Sequence, residues 1–368
     1  MKLLHIADLH LGKRVCEHPM LEDQRHILKE IADIARAERA DALLIAGDVY
    51  DRPVPPQEAV TLLSDFLCEM SKEKVAVYLI AGNHDSAERL DFCAELLGAN
   101  GVHIAGDCNG AAQTMILEKG EERVALHLLP HFRPVALRRF LGEEISSSDE
   151  AFRALIDRTD LTLAPTNILL AHAFVTGAAT SESEQVVVGT VDAVPADVFA
   201  RFDYVALGHL HRPQAIGTNV RYAGSPLAYS FSEVGEPKSV TVIETGKQLN
   251  VRTVALHPLH EMREIRGGMA ELLALSYSDD YIRAVVTDEE VPPDARVTLQ
   301  GNFPNLMRFA VENSRTAHEE EIAFGESVML RDPLELFAEF YEQQNGTSPD
   351  EVRLALMKTL FEAQEGER

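Results

Sequence analysis

Basic residues are scarce in this chain. Its 368 residues hold 34 Lys and Arg against 59 Asp and Glu, a formal net charge of -25. Neutralising phosphates takes cations, so this balance excludes a free-standing nucleic-acid binder. The deficit is uneven: residues 257–368 carry 10 basic and 23 acidic side chains, and residues 1–256 carry 24 and 36. Solubility accounts for most of the acidic excess, and some of the acids are available as metal ligands. Cysteine is thin as well. Cys16, Cys68, Cys93 and Cys108 form no C-x-x-C pair, which excludes a zinc ribbon and leaves four structural thiols. No apolar run approaches the roughly 20 residues that span a bilayer. The opening MKLLHIADLHLG is too short in apolar residues for a signal peptide and is broken by His5 and Asp8, so a cytoplasmic location is predicted. There is no G-x-x-x-x-G-K-[ST] sequence for a phosphate loop, no internal repeat and no aromatic platform for stacking bases.

What is present is a repeated punctuation. Five short apolar runs each stop at a polar cluster: LLHIA at Asp8-Leu9-His10, ALLIAG at Asp48-Val49-Tyr50-Asp51, VAVYLIAG at Asn83-His84-Asp85, NILLA at His172, and YVALG at His209-Leu210-His211. Runs of four to eight Val, Ile, Leu and Ala residues predict strands buried on both faces. Helical spacing over 21–39 and over PPQEAVTLLSDFLCEM places helices between them. Alternating strand and helix predicts a layered α/β domain, with polar sites at the carboxyl ends of its strands.

Further along, residues 105–135 predict antiparallel hairpins with turns near Asn109-Gly110 and Lys119-Gly120. VRYAGSPLAYSFSE and KSVTVIE predict strands that close the first domain, assigned to residues 1–256. Residues 257–330 form a small α+β module, with IRAVVT and ARVTLQG strand-like. Residues 331–368 predict two helices. Asp332-Pro333-Leu334-Glu335 and Ser348-Pro349-Asp350-Glu351 supply their starts, with apolar stripes Leu334, Phe337, Phe340, Tyr341 and Val352, Leu356, Leu360, Phe361. Such a stripe packs on its own domain or docks on another protein.

Any one cluster is weak evidence, since a lone histidine is more often a hydrogen-bonded structural residue than a ligand. Five clusters of Asp, Asn and His, each after a strand, point to one site. Asp8, His10, Asp48, Asn83, His172, His209 and His211 exceed what one ion needs and suit two ions sharing a carboxylate. Imidazole and oxygen donors without thiolate favour Mn²⁺, Fe or Zn²⁺ over Ca²⁺, with Mg²⁺ also admitted. Two ions about 3.5–4 Å apart activate water and stabilise a leaving oxygen in phosphoester hydrolysis.

DLH, GDVYD, GNHD, AHA and GHLH together resemble the calcineurin-like metallophosphoesterase family. HIADLHLG, AGDVYDRPVPP, AGNHDS, VGTVDAVPADVFARFDYVALGHLHRPQ and YAGSPLAYSFSE resemble its SbcD-type nuclease subunits, over most of residues 1–235. The resemblance implies a sandwich of two central mixed sheets flanked by helices, with a capping domain at 257–330 and C-terminal helices at 331–368. It implies one ion on Asp8, His10, Asp48 and His211, and another on Asp48, Asn83, His172 and His209, so that Asp48 bridges. His84 is implied to contact the scissile phosphate or protonate the leaving oxygen, with Asp85 orienting it or bonding within the turn. Asp51 stands where some relatives carry a second histidine. Lys13, Arg14, Arg89 and Arg212 lie near the ligands in sequence and are candidates for DNA phosphates. Arg133, Arg138 and Arg139 form a further, peripheral cluster.

The family further implies a homodimer through residues 57–71 and 87–98. It also implies docking of residues 333–361 on an SbcC-like ABC-type coiled-coil ATPase, which would bring ATP dependence and a basic DNA-binding surface. The implied activity is Mn²⁺-dependent cleavage of double-stranded DNA ends and hairpins. The alternatives are a phosphodiesterase or phosphatase acting on small nucleotides or phosphoproteins, and a non-catalytic scaffold with degraded ligands. None of the seven is degraded.

Overall fold

The computed structural model describes residues 1–141, 145–182, 184, 193–314, 337–338, 341, 349–350, 353–354 and 356–357. The chain forms two units, Met1–Ala310 and Val311–Arg368. Residues 315–330 of the expected cap, and most of the two expected C-terminal helices, lie outside the described residues. No helix among the described residues is long and apolar enough to cross a membrane.

The five apolar runs are strands. β1 (Lys2–Ile6) leads into α1 (Leu21–Glu38), β2 (Ala42–Ala46), α2 (Gln57–Lys72) and β3 (Ala76–Ile80). After α3 (Ala87–Leu90) and α4 (Ala94–Gly98), β4 (Val102–Ala105) completes a parallel run of four strands. The hairpin β5 (Gln113–Lys119) and β6 (Glu122–Leu129) opens a second sheet. It continues, after α5 (Pro134–Leu141) and α6 (Ser148–Asp157), through β7 (Thr166–His172), β8 (Tyr204–Gly208), β9 (Gln214–Ile216) and β10 (Val220–Tyr222). The chain then returns to the first sheet with β11 (Ser239–Glu244) and β12 (Asn250–Ala255). The orders are β12-β11-β1-β2-β3-β4 and β9-β10-β8-β7-β6-β5. Both sheets are mixed, because β11 runs antiparallel to β1, and β5 and β9 run antiparallel to their neighbours.

Strand alternation divides the core into layers. Leu43 and Ile45 of β2 pack outward with Ile27, Leu28 and Phe66 of α1 and α2, while Leu44 and Ala46 face inward. On the opposing sheet, Ile168 and Leu170 of β7 face that same inner layer, and Leu169 and Ala171 pack on Phe152 and Leu155 of α6. Burial on both faces is why these strands read as continuous apolar runs. The result is the expected α/β sandwich, two central mixed sheets with helices outside.

Two local expectations are corrected. Asn109-Gly110 is not a hairpin turn: β4 ends the first sheet parallel to β3, and β5 begins the second, so the chain there crosses between sheets. ARVTLQG is not a strand but α8 (Ala295–Gln300). Its buried Ala295 and Leu299 are one helical turn apart, with Val297 exposed on the other side. Asp294 precedes its first turn and is itself preceded by two prolines, so the local β-propensity of Val and Thr loses to packing. α8 belongs to the module after β12, with β13 (Met262–Gly267), α7 (Met269–Leu273), β14 (Tyr281–Val286) and β15 (Leu306–Val311). Ile265, Leu272, Ile282, Leu299 and Phe303 form its own small core.

Candidate metal centre

The inner ends of the strands meet at one place. At or just beyond the carboxyl ends of β1, β2, β3, β7 and β8 the chain delivers Asp8, Asp48, Asn83, His172 and His209, with His172 the last residue of β7 and His10 and His211 two residues after Asp8 and His209. Gly208 allows the two sheets to close here, because a Cβ on it would lie 1.9 Å from the Ala46 carbonyl oxygen. Gly82 plays the same part within the first sheet, where a Cβ would meet Asp48 Oδ1 at 2.1 Å. Asp8, His10, Asp48 and His209 have φ of 54°, 43°, 48° and 102°. This left-handed backbone costs energy for residues with a Cβ and turns each side chain inward.

The structure brings all seven candidate ligands together. His172 Nε2 lies 2.9 Å from Asn83 Oδ1 and 3.5 Å from Asp48 Oδ2. His209 Nδ1 lies 3.0 Å from the same Asn83 oxygen. His10 Nε2 is 3.0 Å from His211 Nε2 and 3.7 Å from Asp48 Oδ2. Asp48 Oδ2 therefore stands between two imidazoles from opposite sheets. Ligand atoms of Asp8, His10 and His211 lie within 4.8 Å of one another, as do those of Asp8, Asp48 and His172, and of His10, Asp48 and His84.

These residues fit divalent cations. Asp8 Oδ2 is buried and has no hydrogen-bond partner. His172 donates from Nδ1 to the Ala46 carbonyl at 2.8 Å, which turns its Nε2 toward the acceptor oxygens of Asn83 and Asp48. Burial pushes the Asp8 carboxyl up to about 7, against the pull of His172 and His211. For His172 burial acts to lower the pKa, but the Asp48 carboxylate outweighs it and raises the imidazole to about 9. Asp48 is driven upward by burial too, yet His172 and His10 hold it well below the ordinary carboxylate range. Buried carboxylates facing imidazoles, with no thiolate, make a hard-to-borderline donor set.

His84 and Asp85 adjoin this cluster. The backbone amide of His84 donates to Asp48 Oδ1 at 2.9 Å, and its Nδ1 meets the Asp51 carbonyl at 3.0 Å. Asp85 spends both oxygens on backbone amides, those of Val49 at 3.0 Å, Tyr50 at 2.9 Å and Gly82 at 2.9 Å. It thus staples the loops after β2 and β3, and the Asp51 carbonyl is the group that orients His84. Lys13 Nζ is 2.7 Å from Asp51 Oδ1, so that ammonium is already paired. Arg14 donates to the Glu17 carbonyl. Arg212 pairs with Glu236 at 3.0 Å while remaining exposed, and Arg89 is exposed in the last turn of α3.

Several residues escaped the motif reading. Glu233 is 1% exposed, with Oε1 3.6 Å from His211 Nδ1 and Oε2 2.6 Å from Lys238 Nζ. Lys238 also donates to the His211 carbonyl at 2.9 Å. Burial pushes Glu233 up, but the His211 hydrogen bond and the Lys238 ammonium prevail and hold it at about 2. A carboxylate behind a ligand imidazole fixes its ring and tautomer. His131 lies beside His172, with ring centroids 6.2 Å apart, and burial lowers it to about 4. Gln24 and Tyr229 support the loop after β1. Glu233 and Tyr229 lie within YAGSPLAYSFSE, but no local spacing shows which ligand they reach.

The chain belongs to the calcineurin-like phosphoesterase family, whose profile matches residues 1–213. A second profile, described as the type 5 capsule protein repressor C-terminal domain, matches residues 258–345. The more particular resemblance is to SbcD-type proteins, and it runs the length of the chain. The chain is 30% identical over 373 residues to a Staphylococcus epidermidis protein named as the SbcD component of the nuclease SbcCD, covering 98% of each. Among solved structures it is similar to a dimetal phosphatase from Danio rerio, at 12% identity and a TM-score of 0.42, covering 69% of this chain and 95% of that one. It is also similar to GAP50 of Plasmodium, described as the anchor in the inner membrane complex, at 11% identity and a TM-score of 0.42, covering 86% and 98%.

Proposed function

We propose that this chain is the metal-dependent nuclease subunit of an SbcCD-like complex, cleaving phosphodiester bonds at double-stranded DNA ends and hairpins. The single observation that carries this is the full-length likeness to the Staphylococcus protein named as the SbcD component of the nuclease SbcCD. One divalent cation, Mn²⁺ by preference, is held by Asp8, His10, Asp48 and His211. A second is held by Asp48, Asn83, His172 and His209. Bound there, such ions supply an activated water and charge stabilisation for the leaving oxygen.

The chain's own groups do the rest. Asp48 stands between His10 and His172 and would contribute to both sites. His84, anchored through Nδ1 on the Asp51 carbonyl, presents Nε2 to a phosphate oxygen or gives a proton to the departing alcohol. Asp85 acts through the loops, holding His84 and Asp48 in register. Arg89 and Arg212, both exposed, contact DNA phosphates; Lys13 and Arg14 do so after exchanging their present partners.

In this assembly residues 1–256 form the nuclease domain, 257–330 a cap touching DNA or partner, and 331–368 the helices that grip an SbcC-like ABC-type ATPase. Residues 57–71 and 87–98 join two copies. The ATPase supplies ATP dependence and basic surface, which makes a net charge of -25 workable for DNA processing in the bacterial cytoplasm during repair, recombination or replication.

The test is cleavage of duplex and hairpin DNA by the purified chain, with and without the ATPase, in Mn²⁺, Mg²⁺ and Zn²⁺. Wild type cleaves, and Asp48→Ala and His84→Gln fold but lose cleavage by about 10²-fold or more. Full activity in either variant, or no cleavage of DNA under any condition beside brisk hydrolysis of a small chromogenic phosphodiester, would overturn the proposal.

A further inference from the structure

We propose that the neighbouring residues Asp23 and Gln24, at the start of α1, are positioning residues that link the 257–310 module mechanically to the metal-ligand loop Leu9–Gly12. Docking or displacement of that module would thereby set how tightly the centre holds its cation.

The two side chains are buried, 0% and 1% exposed, and point to opposite partners. Asp23 belongs to the module. Its Oδ1 accepts from the backbone amide of His260 at 3.1 Å, and its Oδ2 accepts from the Tyr281 hydroxyl at 2.6 Å. His260 Nδ1 lies 3.2 Å from both oxygens. Met262, Tyr281 and Met307 of the module pack into the core of the first sheet and its helices, whereas the rest of the module has its own core. Part of the module's grip on the nuclease body thus lies where Asp23 sits, and His257 bonded to Glu30 adds a second hold further along α1.

Gln24 belongs to the ligand loop. Its Nε2 donates to the His10 carbonyl at 2.7 Å and lies 3.1 Å from the Tyr229 hydroxyl. Its Oε1 accepts from the Gly12 amide at 3.0 Å. With its Nε2 also 3.4 Å from the Leu9 carbonyl, one side chain spans the backbone from the residue before His10 to the Gly12 amide. His10 needs bracketing, because its φ of 43° is a conformation that residues with a Cβ leave when released. Tyr229 completes the clasp. Its hydroxyl donates to the Leu9 carbonyl at 2.5 Å, and its ring stands edge-on to both His10 and His211, at 5.7 and 5.8 Å.

Because Asp23 and Gln24 are adjacent on one helix turn, a shift of that turn drawn by the module through Asp23 also moves Gln24. A shift of the module that breaks Tyr281–Asp23 loosens the His10 carbonyl. A packed helix turn with discrete hydrogen-bonding partners at both ends is a physically connected route of the kind that carries coupling.

This inference rests on the assignment of Asp8, His10, Asp48 and His211 to one cation, and its test reads metal binding rather than cleavage. Mn²⁺ is titrated calorimetrically into the full-length, metal-free chain, with melting temperature recorded alongside. Gln24→Met is expected to weaken Mn²⁺ binding by about tenfold or more, as for other residues supporting a ligand. Tyr281→Phe and Asp23→Asn are expected to weaken it by about threefold to thirtyfold. Val297→Ala, on the exposed face of α8, leaves it unchanged. If Gln24→Met does not fold, Gln24→Ala takes its place. Variants that melt earlier but bind Mn²⁺ as wild type does would show a structural role only and overturn the link. A wild-type chain that takes up no Mn²⁺ would sink the metal-centre assignment instead.

Discussion

His172 and Ala46 are joined across the two sheets, the imidazole Nδ1 donating to the backbone carbonyl at 2.8 Å. This bond sets the orientation of a candidate ligand on β7 by a backbone atom on β2. It exists only because Gly208 leaves room for the two sheets to touch at that carbonyl.

Gly208→Ala tests that closeness. A methyl 1.9 Å from the Ala46 oxygen forces the sheets apart. The expected cost is about 3 kcal/mol or more, at the upper end of overpacking. Urea unfolding measures it, and a variant within about 0.5 kcal/mol of wild type would contradict the steric account.

Metal binding should be visible as stability. Two carboxylates, Asp8 and Asp48, are buried beside imidazoles, and a cation that binds only the folded chain stabilises it by about 2.7 kcal/mol at a hundred times its dissociation constant. Added Mn²⁺ is expected to raise the melting temperature of wild type, and chelation to reverse the rise. Asp48→Ala should show little response. An equal response in that variant would place the ion elsewhere.

Glu233→Gln keeps the shape but removes the charge opposite Lys238, leaving a buried ammonium 6% exposed. Breaking such a pair from one side costs about 3–5 kcal/mol. The freed ring of His211 should also lower cation affinity by about 10- to 100-fold. Thermal unfolding and calorimetric titration read the two effects separately.

His5 supplies a pH dependence away from the metal ligands. It lies between the sheets, bonded to the Tyr204 hydroxyl at 3.1 Å and the Leu207 carbonyl at 3.2 Å. Burial lowers its pKa from 6.5 to about 3. The unfolded chain therefore takes up a proton first as pH falls. The stability tied to neutral His5 is complete above pH 6.5 and is lost as pH drops toward 3. Between pH 7 and 5 the expected loss is roughly 1–2 kcal/mol from this residue. Denaturation midpoints across that range check it, and His5→Phe should flatten the slope. An unchanged slope in the variant would assign the effect to other groups.

The local sequence was sufficient for the strands that carry the candidate site and for the Asp, Asn and His residues at their ends. A run such as ALLIA reads as doubly buried because both its faces are, and DLH, GDVYD and GHLH mark strand ends because glycine and short polar residues permit left-handed turns there. Those are properties of a few neighbouring residues, so they survive without coordinates. What the sequence left undecided depends on distant pairs. ARVTLQ became a helix because Ala295 and Leu299 had a core to enter. Asn109-Gly110 turned out to cross between sheets, because β4 found its partner in β3 and β5 in β6. Glu233 reaches His211, Gln24 reaches His10, and Asp51 rather than Asp85 orients His84, each through contacts that no spacing encodes. Periodicity records which way a side chain faces within its own element. Which group it meets is settled only when two sheets close on each other.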